Sequence, residues 1–389
     1  MLDHPNADQN PTPPAGSPVL VSGASFAGLA TAYWLNRLGY RVTVVELAPG
    51  LRKGGTPVDI EGETIAILKR MGMFEAVRAK TLPPRAFECK DAQDHTLGGL
   101  GAEPGPDAGP PTRFEIHRDD LLDILFAGID GSVELRFGRS IKSVEDSPGG
   151  VMVTLDDGSQ HAFALVFGCD GHRSNTRKLV FGDEKNFTYF MGGYVYLKVV
   201  RETGLLPPNV SQLYSVPGLT TMLNGYDDRT DIAFAFRTVS EIEYDYRNRA
   251  QQRAMIHDHF AGLGWKVPAA LNLMGTDEDF YFDRISQIRM PSWSKGRIVL
   301  VGDAGYCVSP VAGMGGSMAI IGAGRLAEAL ERHGNDHAAA FHEYHEKLHA
   351  FVDDVQKRAA TEGMAMIFPA SEAEISERDR KLRAGELEI

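Results

Sequence analysis

The chain has 389 residues, enough for two domains or for one large domain with insertions, and its 43% hydrophobic and 24% charged residues are those of an ordinary folded protein. A formal net charge of −12 argues against a phosphate backbone or an anionic membrane surface as partner, so neither nucleic acid nor membrane is expected. No apolar run approaches the roughly 18 residues of a membrane-spanning helix. Cys89, Cys169 and Cys307, odd in number and without metal-like spacing, fit packing roles in a reduced cytoplasm, and a monomer is expected.

Residues 1–17, rich in Pro, Asn and Asp, read as a disordered leader. An apolar strand over 19–21 then reaches Gly23. A helix begins near Phe26, with Leu29, Tyr33 and Leu38 on one face and Gly39 as its stop. The next strand, 41–45, ends on Glu46, followed by Leu47. Such a βαβ unit offers free N–H groups and the positive end of a helix dipole to a pyrophosphate. Glu46 lies about 20 residues past the glycines, where a carboxylate accepts from ribose hydroxyls and disfavours a 2′-phosphate. The turn reads Gly23-Ala24-Ser25-Phe26-Ala27-Gly28, with Ser25 where the dinucleotide fingerprint has its middle glycine; a small, hydrogen-bonding side chain adjusts the site there without abolishing it.

A loop over 51–60 carries Arg52, Lys53 and Gly54, and a short helix follows over 64–71. The stretch 98–111, dense in Gly and Pro, reads as an exposed loop or a flap. His117-Arg118-Asp119-Asp120 opens a helix over 121–126. Strand patterns cover 132–137, 141–145, 151–155 and 161–167, two of them joined by the hairpin turn 156–158. The last leads straight into Asp170-Gly171, with Ser174 and Arg177 beyond.

From 189 to 282 the pattern becomes that of consecutive strands, 194–200, 210–216, 220–224 and 232–238, with a helix over 249–260. Ile232, Phe234 and Phe236 share one face, with Ala233, Ala235 and Arg237 on the other. The block reads as a second domain whose sheet turns one face to a ligand, with Tyr196, Met222, Phe234 and Phe236, and Pro310 and Gly313 further along the chain, as candidate substrate contacts; a sheet that merely packs on helices explains any single residue equally well. The chain returns to the first domain at 285–290 and 297–301 and closes with long helices after 336. Met364, Met366 and Phe368 form an apolar cluster there. They are either core between closing helices or, for Met364 and Phe368, the far wall of a substrate pocket.

The second informative turn is Gly302-Asp303, at the end of an apolar strand and ahead of Pro310, Gly313, Gly315 and Gly316. A carboxylate there can hold a ribityl or ribose hydroxyl, and the later glycines can present N–H groups to a flavin ring edge. Two such turns in this order suggest one flavin gripped at both ends.

These motifs resemble those of the class A flavoprotein monooxygenases, the family of para-hydroxybenzoate hydroxylase. The likeness covers Gly23 to Gly28, Asp170-Gly171 with Ser174 and Arg177, and Gly302-Asp303 with Pro310 and Gly313-Met314-Gly315. Within the family, the Arg52 to Asp59 loop and the stretch 283–302 look most like the tetracycline-inactivating monooxygenases. The resemblance implies an α/β fold: a Rossmann-like FAD-binding domain (18–82, 112–187 and 283–332) interleaved with an antiparallel-sheet substrate domain (83–111 and 188–282). Helices over 336–389 would close it. It implies that Arg52 and Arg118 touch FAD, that Asp303 binds the ribityl chain and Glu46 the adenosine ribose, and that Asp170-Gly171 helps bind pyrophosphate. The sequence departs from the family at Ser25, at Gly305-Tyr306, where Ala-His is common, and at Ser317, where Asn is common.

The implied chemistry is oxygen transfer from a flavin C4a-hydroperoxide, formed after reduction by NADPH or NADH, to an aromatic or enolic carbon of a polycyclic small molecule. A tetracycline-type antibiotic is one such substrate. No catalytic side chain is required, because the cofactor carries the reaction. A tailoring hydroxylase of aromatic polyketides or simple phenols stays open, as does a non-catalytic flavoprotein that sequesters a ligand. A halogenase lacks support, since Trp34, Trp265 and Trp293 stand apart. His345-Glu346-Lys347-Leu348-His349 matches a zinc motif, but no third ligand is evident, and a solvated helical face is the expectation; no metal is expected.

Overall fold

A computed structural model describes residues 16–101, 112–129, 131–201, 204–276 and 279–386. The expected leader up to residue 15 and most of the expected flap (102–111) lie outside these residues, while Thr96–Leu100 is a strand. No helix among them is long and apolar enough to cross a membrane.

The first sheet has six strands in the order Ser294–Lys295, Ile298–Leu300, Leu165–Gly168, Pro18–Ser22, Arg41–Glu46, Glu134–Phe137. All neighbours are parallel except the first pair. Its central strands are buried over nearly their whole length, Leu165–Gly168 throughout and Pro18–Ser22 and Arg41–Glu46 from their second residue on, as a parallel sheet covered on both faces requires. Helix Phe26–Arg37 lies against Gly315–His333, which in turn packs on His337–Arg358. Between sheet and helices runs the largest core of the molecule. The expected strand over 161–167 is two strands, Gln160–Phe163 and Leu165–Gly168. The former joins a small antiparallel sheet with Gly150–Leu155 and Ile141–Ser147.

A seven-stranded sheet runs Tyr281–Ile288, Thr188–Arg201, Arg229–Arg237, Leu219–Gly225, Val210–Val216, Ala86–Lys90, Thr96–Leu100. It is antiparallel throughout except where Val210–Val216 meets Ala86–Lys90 in parallel. Strand Tyr281–Ile288, expected to re-enter the first domain at Ile285, instead forms the edge of this sheet, paired with Thr188–Arg201. The return comes one element later, at Ser294–Lys295, followed by Ile298–Leu300.

This sheet has two differently covered faces. Outward, Tyr194, Tyr196, Phe234 and Phe236 pack with Ile256, Phe260, Val267 and Leu271 of helices Arg249–Phe260 and Val267–Leu273. Inward, Val195, Ala235 and Ile285 meet Met364 and Phe368 from the closing segment, with Val311 and Ala312 alongside.

Candidate active site

Three adjacent parallel strands, Ile298–Leu300, Leu165–Gly168 and Pro18–Ser22, deliver the three glycine-bearing turns side by side, and their neighbour Arg41–Glu46 ends on Glu46. Ligands of open α/β sheets bind outside these carboxyl ends. Gly302-Asp303, Asp170-Gly171, Gly23–Gly28 and Glu46, far apart in sequence, therefore share one edge.

The first turn depends on glycine for close packing. Gly23 has φ +106°, and a Cβ there would stand 2.4 Å from the Cys169 carbonyl oxygen; one at Gly28 would stand 1.9 Å from the Gly23 carbonyl oxygen. Ser25, Phe26, Ala27 and Gly28 then open helix Phe26–Arg37, whose first turn has no intrahelical acceptors for its N–H groups. Ser25 accepts a hydrogen bond from Arg118 Nη2 at 3.3 Å. The carboxylate of Glu46, nearly buried, accepts from Ala24 N–H at 2.8 Å and from Ala48 N–H at 2.9 Å, so it braces the turn and keeps lone pairs for a further donor. Leu47 is 70% exposed beside it.

Arg118 organises the 52–54 loop. Its Nη1 donates to the carbonyl oxygens of Arg52 (2.8 Å) and Gly54 (3.3 Å), and its guanidinium covers the Phe26 ring at 5.2 Å. Gly54 N–H donates to Asp119, and Lys53 pairs with Asp123 at the surface.

Asp170 is occupied as a helix cap: Ser174 Oγ donates to Oδ1, and Thr176 N–H and Oγ1 donate to Oδ2. Arg177, fully buried, donates to the Ala304 and His172 carbonyls and so ties this turn to the Gly302-Asp303 turn. His172 and Arg173 both reach Asp283 on the seven-stranded sheet, at 3.2 and 2.6 Å. Burial raises the Asp303 carboxyl and lowers the His172 imidazole, each opposed by the other's charge. Gly302 has φ +68°, and its Cβ position lies 3.0 Å from Ala27 Cβ, so the outer two turns touch.

Beyond Asp303 the chain is strained. Ser309 holds φ +83°, uncommon for a residue with a side chain, and its buried hydroxyl has no hydrogen-bond partner among the described residues. Pro310 then opens a tight turn, and Gly313 (φ +67°) and Gly315 are exposed, with nothing within 4 Å of either Cβ position. Gly316 closes onto Val58 and Phe26. The departures at 306 and 317 are accommodated by packing. Tyr306 donates no charge but fills the core against Trp293, accepting from Tyr344 Oη at 2.8 Å, and its hydroxyl takes the space a Cβ at Gly322 would need. Ser317 Oγ donates to the Asp59 carbonyl.

The expected substrate contacts divide. Met222 lies on the inner face, opposite Ala233. Met364 and Phe368 pack on that face, next to Val311 and Ala312. Tyr196, Phe234 and Phe236 do not: each is 0% exposed and buried against the outer helices, which corrects the expectation that they face a ligand. The inward residues are their neighbours Leu197, Ala233 and Ala235. Sequence reasoning also missed Tyr281, Asp283, Ser309 and Gly363. Only the last two carried a local signal, a residue next to proline and a glycine within an otherwise helical stretch.

No cluster of three potential metal ligands occurs among the described residues. His345 and His349 lie against Trp293, and His349 pairs with Asp353. The three cysteines are free and buried, and burial raises their thiols.

Residues 16–199 and 279–359 match the family described as FAD binding domain. The chain is 38% identical over 347 residues to an uncharacterised protein of Mycobacterium tuberculosis (strain H37Rv), covering 86% of this chain and 90% of that one. It is 34% identical over 344 residues to a flavin-dependent monooxygenase of Legionella longbeachae, covering 87% of each. Among solved structures it is similar to tetracycline destructase Tet(51), with a TM-score of 0.82, 31% identity and coverage of 95% and 96%. Klebsiella pneumoniae HpxO complexed with FAD and uric acid shares the fold, with a TM-score of 0.76, 21% identity and coverage of 95% and 93%.

Proposed function

The chain belongs to the class A flavin-dependent monooxygenases, and from that premise we propose that it uses NADPH or NADH and dioxygen to hydroxylate an aromatic or enolic polycyclic small molecule, a tetracycline-type antibiotic among the first to test. The observation that carries this reading is the meeting of two surfaces. One is the row of strand ends bearing Gly23, Asp170, Asp303 and Glu46; the other is the inner sheet face of Leu197, Met222 and Ala233, with the exposed Pro310 to Gly315 turn beside it.

The residues suit FAD. The first turn of helix Phe26–Arg37 offers its N–H groups to a pyrophosphate, and Glu46 offers free lone pairs to the adenosine ribose. Asp303 would take a ribityl hydroxyl, and the N–H groups around Gly313, Gly315 and Gly316 would face the flavin ring. Arg118 holds the Arg52 to Gly54 loop in place over this cradle. The Asp170-Gly171 turn would add to the pyrophosphate site. Bound there, the flavin supplies the redox chemistry and the transfer of one oxygen atom from dioxygen. What the chain does is position and dry the site: Val195, Ala235, Met364 and Phe368 exclude water beside it. With one full dinucleotide turn in the sequence, the nicotinamide cofactor would bind transiently in a groove.

The likeness to tetracycline destructases supports the antibiotic. The small, apolar inner face equally suits other flat aromatic rings, which keeps a tailoring hydroxylase as the second reading. The test follows NADPH and NADH oxidation with tetracyclines, anhydrotetracyclines and simple phenols, with mass analysis of products. Substrate-dependent oxidation and a product heavier by one oxygen atom are expected from one class. Binding without any such oxidation would instead mark a ligand-sequestering flavoprotein.

A further inference from the structure

Tyr281, at the start of edge strand Tyr281–Ile288, stands outside every motif of the family resemblance. Side chains alternate along a strand, so Tyr281 shares its face with Asp283 and Ile285. Ile285 packs in the inner cluster with Val195 and Phe368, which makes this the inner face. Phe282, between them, points outward onto Tyr194 and Tyr244. Across the ladder Tyr281 is paired with Leu197, itself next to Ala233.

Two properties of the side chain are unusual together. It keeps 41% of its surface accessible, yet burial holds its phenol well above the ordinary value, with Asp283, Cys307, Asp303 and Arg173 facing it. A ring on the outer surface would be accessible and hydrated; a core ring would be neither. Tyr281 is an accessible ring on the inner face, within reach of the charges at the Gly302-Asp303 turn. Burial above all, with Asp283 and Asp303 reinforcing it, holds the phenol further on its protonated side, and no hydrogen bond among the described residues engages its hydroxyl. Its O–H is a donor on the face that Leu197 and Ala233 share.

We propose that Tyr281 is the specificity-determining donor of the substrate site, giving a hydrogen bond to a ring carbonyl, phenolate or enolate oxygen of a flat aromatic substrate that lies on Leu197 and Ala233. The proposal rests on the substrate reading given above and names the group by which that site tells an oxygenated ring from a plain hydrocarbon one.

The test uses the FAD-loaded enzyme and its Tyr281→Phe and Tyr281→Ala variants, with anhydrotetracycline as probe and the other panel compounds beside it. Binding is read from the bound flavin's visible spectrum, and turnover from NADPH oxidation against hydrogen peroxide released. Tyr281→Phe is expected to retain FAD and to raise Kd and KM by about three- to tenfold, the worth of one neutral hydrogen bond, with a smaller change in kcat. Tyr281→Ala is expected to raise them further and to divert more NADPH to peroxide. Unchanged Kd and KM in Tyr281→Phe would overturn the proposal, and so would a loss of FAD with probe affinity intact, which would place Tyr281 on the cofactor. If the wild type itself binds nothing in the panel, the substrate reading fails and the proposal falls with it; the variants' failure alone leaves that reading standing.

Discussion

Asp231 closes the polar end of the inner sheet face. Its carboxylate is almost fully buried, 3.6 Å from Arg229 Nε. Around it, Arg85 and Arg229 lie over the Tyr226 ring, Arg85 pairs with Glu115, and Arg229 meets His117. Burial pushes the Asp231 carboxyl up from 3.8 to about 7, with Arg229 and Arg85 pulling the other way and Glu115 reinforcing it. A carboxyl that is more basic folded than unfolded keeps a proton the unfolded chain has already released. Stability from this group is therefore greatest below about pH 4, falls as pH rises toward about 7, and levels off above it. In Asp231→Asn that slope is absent. The stability of the variant relative to wild type, from urea unfolding, is expected to grow by about 1–3 kcal/mol between about pH 5 and about pH 8. A difference that stays flat over that range would contradict the assignment.

At the scale of elements, the closing segment is fitted to the Pro310–Ala312 turn. Helix His337–Arg358 runs into a π-helical turn, Ala359–Gly363, which rotates the following Met364–Ile367 onto the inner sheet face. A Cβ at Gly363 would stand 2.6 Å from the Val311 carbonyl oxygen, within the Pro310–Ala312 turn. That neighbour is backbone and cannot swing aside. Gly363→Ala is expected to cost about 1–3 kcal/mol of stability and to weaken FAD retention, because the turn must move. A variant with unchanged melting temperature and flavin content would show that the turn is free of this contact.

Over the whole molecule, the parallel sheet was legible in the sequence because three of its adjacent strands, Pro18–Ser22, Leu165–Gly168 and Ile298–Leu300, are short, mostly apolar runs that lead into glycine-bearing turns. Gly23, Asp170 and Gly302 announce themselves locally, and their lateral order follows from the fold they imply. The seven-stranded sheet was legible as strands but not as surfaces. Alternation shows that Phe234 and Phe236 share a face and that Ala233 and Ala235 share the other; it does not say which face meets helices. The largest rings of the sheet went to the helices, where burial gains most, and Val195 and Ala235 were left beside the turn that carries Val311 and Ala312. Nor does local pattern reveal that Val210–Val216 pairs in parallel with Ala86–Lys90, or that Asp283 reaches His172 and Arg173, since both contacts join segments more than a hundred residues apart.

The central claim is that Glu46 and Asp303 hold the two ends of one FAD. Titration of flavin-stripped protein with FAD, followed by visible absorbance, tests it most directly for wild type, Glu46→Ala and Asp303→Ala. One FAD per chain is expected for the wild type, with affinity lowered in both variants while their unfolding stays cooperative. A wild-type protein that takes up no FAD, or variants that bind it as tightly as wild type, would contradict the account.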